Sequence, residues 1–257
     1  MRPDMAFHRP HSLAEAIAMI DRLPNAQLLA GGQSLVPELR RGDRQPTHLV
    51  SIDQLPELSG LSKRGDAIFI GATATHDAIA TSPLIKDAFP ALAKLVGSIG
   101  DLQVRNRGTL GGAIAAAAYR SDYSAAFLAL GARVHIPGTE LPYDAYLAQC
   151  GFDGAPPNMF VLGVSLPIAD HTAAYEKISH PAAGYAECGV FASWSGSEAR
   201  IAVISDTAPP FRWTALEAEL RADDALAAVD STPVHPLTDY AAELARALTR
   251  RALKTIA

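Results

Sequence analysis

Between Gln27 and Ile52 the order of elements leaves room for one simple arrangement. Gln27-Leu28-Leu29-Ala30 reads as a short buried strand, and Gly31-Gly32 ends it. A helix-like stretch follows from about Ser34 to Arg41, and His48-Leu49-Val50-Ser51-Ile52 is another strand. Strand, glycine turn, helix, strand predicts a small parallel unit, because a parallel pair needs a crossover and not a hairpin. Ahead of it, Ser12 and Glu15 have capping-box spacing, and Leu13, Ala16, Ile17 and Ile20 share one face of a helix that ends before Pro24.

Beyond Leu55 the texture changes. Ala67–Ile70, Ala132–Ile136 and Phe160–Leu166 read as strands, with helical segments near Thr75–Ala80 and Pro90–Val96. Pro167 stops the last strand, and a boundary is expected at residues 168 to 172. Past it, Gly189–Ser195 and Arg200–Ser205 read as paired strands around a Ser195-Gly196-Ser197 turn. Helices follow at about Trp213–Leu220 and Leu237–Ile256. Leu237, Tyr240, Leu244 and Leu248 form the apolar stripe expected of the last one, and Arg246, Arg250, Arg251 and Lys254 crowd its end, where they complement the helix dipole.

Composition narrows the function. The 257 residues allow one large domain or two modest ones, and 49% hydrophobic residues suffice for a packed core. A net charge of −5 gives no electrostatic reason to expect nucleic acid. The start, MRPDMAFHRP, has no apolar core of a signal peptide, and AIAAAA at residues 113 to 118 is too short for a transmembrane segment, so a cytoplasmic chain is expected. Two cysteines, Cys150 and Cys188, read as reduced thiols and cannot hold an iron–sulfur cluster alone. No G-x-G-x-x-G, Walker loop, H-E-x-x-H, C-x-x-C or G-x-S-x-G is present. His8 and His11 are expected as surface histidines and not as metal ligands.

Two glycine-rich loops remain. In Ala30-Gly31-Gly32-Gln33-Ser34-Leu35, the amides of Gly32, Gln33 and Ser34 would converge at a helix start, which is an anion site. In Arg107-Gly108-Thr109-Leu110-Gly111-Gly112-Ala113, a second loop runs into a small-residue helix, and Asp122 lies ten residues after Gly112. Two such loops facing each other would hold the two phosphates of a dinucleotide by backbone alone. Two ordinary tight turns are the alternative.

At these residues the chain resembles a known family. AGGQSLVPELRRG, then QVRNRGTLGG and a later aspartate, is similar to the FAD-binding medium subunit of molybdenum hydroxylases of the carbon monoxide dehydrogenase type, and to the flavin domain of xanthine dehydrogenase. FHRPHSLAEAIAMI, FIGATATHDAIA, LGVSLPI, YEKISHPAAGYAECGV and ARIAVISDTAPPFRW extend the resemblance along the whole chain.

The resemblance implies an α+β fold: a two-subdomain FAD-binding domain of the PCMH type at residues 1–168 (subdomains about 1–54 and 55–168), then a smaller C-terminal α/β domain with an antiparallel sheet at 169–257. It implies that Ala30, Gly31, Gly32, Gln33 and Ser34 wrap the pyrophosphate, bracketed by Leu28 and Leu35. Thr109, Leu110, Gly111, Gly112 and Ala113 form the facing loop. Ile99 and Gly100 line the flavin or adenine side, and Asp122 bonds FAD hydroxyls. Val161 and Leu162 touch the adenine, Lys177 lies near the flavin ring, and Tyr185 covers it. No catalytic or metal-ligating residue is expected. The family pattern has polar residues and a Ser-Pro where this chain has Ala113, Ala116, Ala118 and Tyr119, which removes three side-chain hydrogen bonds. The implied partners are a large molybdenum-cofactor subunit and a small [2Fe–2S] subunit, in a dimer of heterotrimers. A docking subunit without FAD and a stand-alone flavoprotein oxidoreductase are the alternative readings.

Overall fold

The structure is a computed structural model that describes residues 5–116, 118–152, 154–156, 159–180, 186–196, 198–220 and 225–256. Its first unit is the parallel one. Strand β1 (Ala6–His8) is followed by helix α1 (Leu13–Arg22), β2 (Ala26–Leu29), α2 (Leu35–Arg41) and β3 (His48–Ser51). The strands pair in parallel in the order β1-β3-β2. Ser12 Oγ accepts from the Glu15 amide, and the Glu15 carboxylate reaches back to the His11 amide at 2.7 Å, so the helix start is closed as its spacing predicts. Ala16, Val50, Ile52, Leu55, Leu58 and Phe160 form a small core beneath it. The strand β1 is an addition to the sequence reading. Its three residues are too few to show alternation.

The second unit is larger. It runs through β4 (Leu61–Arg64), β5 (Ala67–Gly71), the helices α3 (His76–Thr81), α4 (Pro83–Ala88), α5 (Pro90–Gly97), α6 (Leu102–Arg107), α7 (Leu110–Ala116) and α8 (Asp122–Leu130), then β6 (Arg133–Ile136), β7 (Thr139–Pro142), α9 (Tyr143–Leu147) and β8 (Gly163–Pro167). The strands make an antiparallel sheet in the order β4-β5-β8-β6-β7. Edge strands β4 and β7 are mostly exposed and polar, which is why no hydrophobic pattern betrays them. Every residue of α8 is buried, so that helix has no polar face and no readable amphipathic period. Tyr123, Phe127, Tyr143 and Tyr146 stack through the centre of this core at centroid separations of 5.2–5.7 Å. The last strand begins at Gly163, later than Phe160; residues 160–162 precede it outside the strand.

The third unit comprises β9 (Thr172–Ser179), β10 (Ala186–Ser195), β11 (Glu198–Ser205), β12 (Phe211–Arg212), α10 (Thr214–Glu219), α11 (Ala225–Ser231) and α12 (Asp239–Ile256). The antiparallel order is β12-β11-β10-β9. This sheet is buried on both faces. Tyr175, Phe191, Ala202 and Ile204 join the core around α8, while Val190, Ala192, Ile201 and Val203 pack with α12. The stripe on α12 differs from the expected one. Tyr240 is 65% exposed, and the buried face is Ala242, Ala245, Leu248, Thr249, Ala252 and Leu253. Small residues let the helix lie close to the sheet, and Tyr240 on the opening turn points to water. Within the basic cluster Arg246 pairs with Glu243 and Arg250 with Asp230, as a solvated face does.

Candidate functional site

A cleft of about 350 Å³ opens between the parallel unit and the α8 core. Strand β2 and the loop after it form one wall. That strand is half-buried and not the buried strand its composition suggested, because it is the edge of its sheet and turns Leu28 and Leu29 to the cleft. Ile99, Gly100 and the loop at 108–113 form the opposite wall. Asp122, Ala155, Pro156, Met159 and Val161 complete it.

The two glycine loops do face each other, and they touch. Gly31 lies so close to the second loop that a Cβ there would sit 1.8 Å from the Arg107 carbonyl oxygen. Only a residue without a side chain permits that approach. Gly32 has φ +76°, the left-handed region that turns the chain out of β2 toward α2. The consequence is a row of main-chain donors. The amides of Gly31, Gly32, Gln33, Ser34 and Leu35 donate to no acceptor among the described residues. Five successive unpaired amides lining a cleft call for an anionic partner.

The second loop differs. The Leu110 amide donates to Ala74 at 3.0 Å and the Gly111 amide to Ala72 at 2.8 Å. The Gly112 amide donates to Thr109 Oγ1 and the Ala113 amide to the Thr109 carbonyl. These bonds splice the loop onto the chain leaving β5. They occupy the amides of Leu110, Gly111, Gly112 and Ala113 with protein acceptors.

Asp122 opens α8 at the cleft wall and is 8% exposed. Tyr175 donates to its Oδ1 at 2.5 Å and Lys177 to its Oδ2 at 2.9 Å, both from strand β9. Lys177 also lies 3.4 Å from the Ser98 carbonyl. Each carboxylate oxygen has a second lone pair beyond these bonds.

Of the residues named from sequence, Leu28, Ala30, Gly31, Gly32, Gln33, Ser34, Leu35, Ile99, Gly100, Thr109, Gly111, Gly112, Ala113, Asp122 and Val161 line this one cleft. Leu110 does not; it is wholly buried in the core under the loop. Leu162 packs with the first unit's core. Lys177 reaches the site through Asp122, and Tyr185 lies outside the described residues. Ala113 and Ala116 face the cleft, whereas Ala118 is buried with its carbonyl accepting from Ser124, so its place offers nothing to a ligand. Tyr119 donates to the Cys150 carbonyl.

Sequence reasoning missed His76, Arg44 and Arg120 as lining residues. Arg44 pairs with Glu38 at 2.7 Å; Arg120 is exposed on the rim. Only His76 left a trace, inside the string FIGATATHDAIA. No group of three metal-binding side chains occurs among the described residues, and no helix there is long and apolar enough to cross a membrane.

Comparison with known proteins gives the same picture. Residues 3–169 match the family described as the FAD binding domain in molybdopterin dehydrogenase. The chain is 34% identical over 194 residues to the carbon monoxide dehydrogenase medium chain of Hydrogenophaga pseudoflava, covering 73% of this chain and 68% of that one. It is 30% identical over 277 residues to the 6-hydroxypseudooxynicotine dehydrogenase complex subunit alpha of Paenarthrobacter nicotinovorans, covering 98% and 94%. Among solved structures, carbon monoxide dehydrogenase from Hydrogenophaga pseudoflava lacking the Mo-pyranopterin moiety superposes with a TM-score of 0.86 at 30% identity, covering 100% of this chain and 98% of that one. The chain belongs to the family of FAD-binding domains of molybdopterin dehydrogenases. Within that family it is similar throughout to medium subunits of oxidoreductase complexes.

Proposed function

We propose that this chain binds FAD in the cleft and serves as the electron-transfer subunit of a molybdenum hydroxylase complex. The observation that carries the reading is the row of unpaired amides from Gly31 to Leu35, facing a second glycine loop across the same cleft. A pyrophosphate bears the charge and the acceptor oxygens that such a row lacks. Leu28, Leu29 and Val161 offer apolar surface to the rings, and Asp122 offers oxygens to ribityl or ribose hydroxyls. Bound there, FAD supplies a centre that takes electrons singly and releases them in pairs.

The chain's own part is to bind, orient and cover that cofactor. It has no cluster-ligating set of cysteines. In this reading the donors are [2Fe–2S] clusters on a small partner subunit, the molybdenum cofactor sits on a large one, and the assembly is a dimer of heterotrimers in the cytoplasm. An external acceptor takes the electrons. We divide the chain into an FAD-binding part, 1–168, and a C-terminal part, 169–257.

The experiment is co-expression with candidate large and small subunits, purification and a visible spectrum. Flavin bands with one FAD per chain, bleached when the substrate of the complex is added, are expected. An assembled complex without flavin would overturn the reading in favour of a docking subunit. An active flavoprotein isolated alone would favour a stand-alone oxidoreductase.

A further inference from the structure

The main chain of the second glycine loop keeps a single amide, that of Thr109, with no acceptor among the described residues. An anion bridging the two loops therefore finds at most that one main-chain donor on that side, and a side-chain donor would complete its coordination. We propose that His76 is this donor: a neutral imidazole, held as the Nε2–H tautomer, that hydrogen-bonds a phosphate oxygen of the bound dinucleotide. The proposal rests on the reading of the cleft as an FAD site and adds a recognition residue to it.

The tautomer follows from Tyr123. Its ring is wholly buried, and among the described residues its hydroxyl has one partner, His76 Nδ1, at 2.9 Å. A buried hydroxyl must place its proton on an acceptor, and Nδ1 is the acceptor within reach. Burial also raises the Tyr123 phenol well above its usual range, so it keeps that proton. An imidazole that accepts at Nδ1 and stays neutral carries its proton on Nε2. Neutrality is enforced by burial and by the nearby Arg105, which together lower the His76 pKa to about 4.

The position follows from the loop. The His76 amide donates to the Gly108 carbonyl at 3.0 Å, so residue and loop are fixed to each other. A Cβ on Gly108 would lie 2.8 Å from His76 Nε2, which places that nitrogen against the loop's main chain. His76 lines the cleft, and Nε2 meets no protein partner among the described residues.

The test uses the full chain stripped of flavin, with FAD, ADP and adenosine as probes. His76→Leu should weaken FAD and ADP about 10- to 100-fold, the weight of a hydrogen bond to a charged group, and leave adenosine unchanged. His76→Gln, which keeps an N–H donor, should recover most of the loss. Long-range ¹H–¹⁵N NMR of the ligand-free chain should show Nε2 protonated. An Nδ1–H tautomer, equal FAD affinity in His76→Leu, or an equal loss for adenosine would each overturn the proposal alone. A wild-type chain that takes up no FAD would overturn the flavin reading and this proposal with it.

Discussion

Replacing Gly31 by alanine puts a methyl group where the second loop's main chain already lies. The new Cβ would be 1.8 Å from the Arg107 carbonyl oxygen and 2.7 Å from its carbon. Ordinary contact distance is about 3.5 Å, so the loops must part by roughly 1.5 Å. The obstructing atoms are backbone, and no rotamer change relieves them. Overpacking of this kind costs about 1–3 kcal/mol, which lowers the melting temperature by roughly 2–4 °C per kcal/mol in a chain this size. The larger effect falls on the ligand. Parting the loops by that distance breaks hydrogen bonds that tolerate only tenths of an ångström, and losing two bonds to a charged phosphate weakens FAD by about 100-fold or more. Fluorescence titration of the flavin-free chain with FAD measures it. Gly138→Ala is the control: its φ of +79° strains the backbone of an alanine, but nothing lies within 4 Å and it sits in the β6–β7 hairpin, away from the cleft. It should lose about 1 kcal/mol of stability and no FAD affinity. FAD binding by Gly31→Ala within about threefold of wild type would refute the argument that the loops' contact shapes the site.

Three further outcomes follow from the buried groups. Asp122→Ala strands Lys177 and Tyr175 together and should destabilise by about 3 kcal/mol, while Lys177→Met should cost less because Tyr175 still bonds the carboxylate; urea midpoints that reverse this order would contradict it. Burial raises both cysteine thiols, Cys188 to about 12, so neither should react with a disulfide reagent near neutral pH until the chain is unfolded, when both should. The His76 pKa is lowered on folding, so at pH 7 both states are neutral and no stability is lost. As pH falls from about 6.5 toward 4 the unfolded chain binds a proton that the folded one refuses, which removes about 3 kcal/mol by pH 4. Urea midpoints of wild type and His76→Gln across that window should diverge as pH falls, and parallel curves would sink the assignment.

The parallel unit and most of the residues lining the cleft are legible in sequence for a common reason. Each depends on local chemistry: a cap at Ser12, a glycine pair after a strand, a proline that stops one. What escaped depends on neighbours far along the chain. Helix α8 is buried on every side, so Asp122–Leu130 carries no period to read. Strand β9 falls at Thr172–Ser179 and begins on the last residue of the expected boundary stretch. The role of His76 needs Tyr123, 47 residues away, to fix its proton. The occupied amides of Leu110 and Gly111 need Ala74 and Ala72. A glycine motif shows where backbone comes close, but only the fold shows whose hydrogen bonds its amides already make.

That distinction bears on how the C-terminal sheet serves the cleft. Tyr175 and Lys177 are two apart on β9 and so share a face, the one turned toward α8. From there they hold both oxygens of Asp122, the acid at the cleft wall. The same face supplies Phe191, Ala202 and Ile204 to the core beneath that wall. Without the sheet, Asp122 would lose both of its protein partners and the core around α8 would lose one of its covers. The C-terminal part is therefore a wall-bearing element of the candidate site, although, of its residues, none lines the cleft directly among those described. A ligand-binding defect produced by a substitution on that face of β9 follows from the geometry without any contact to the ligand, through the orientation of one carboxylate.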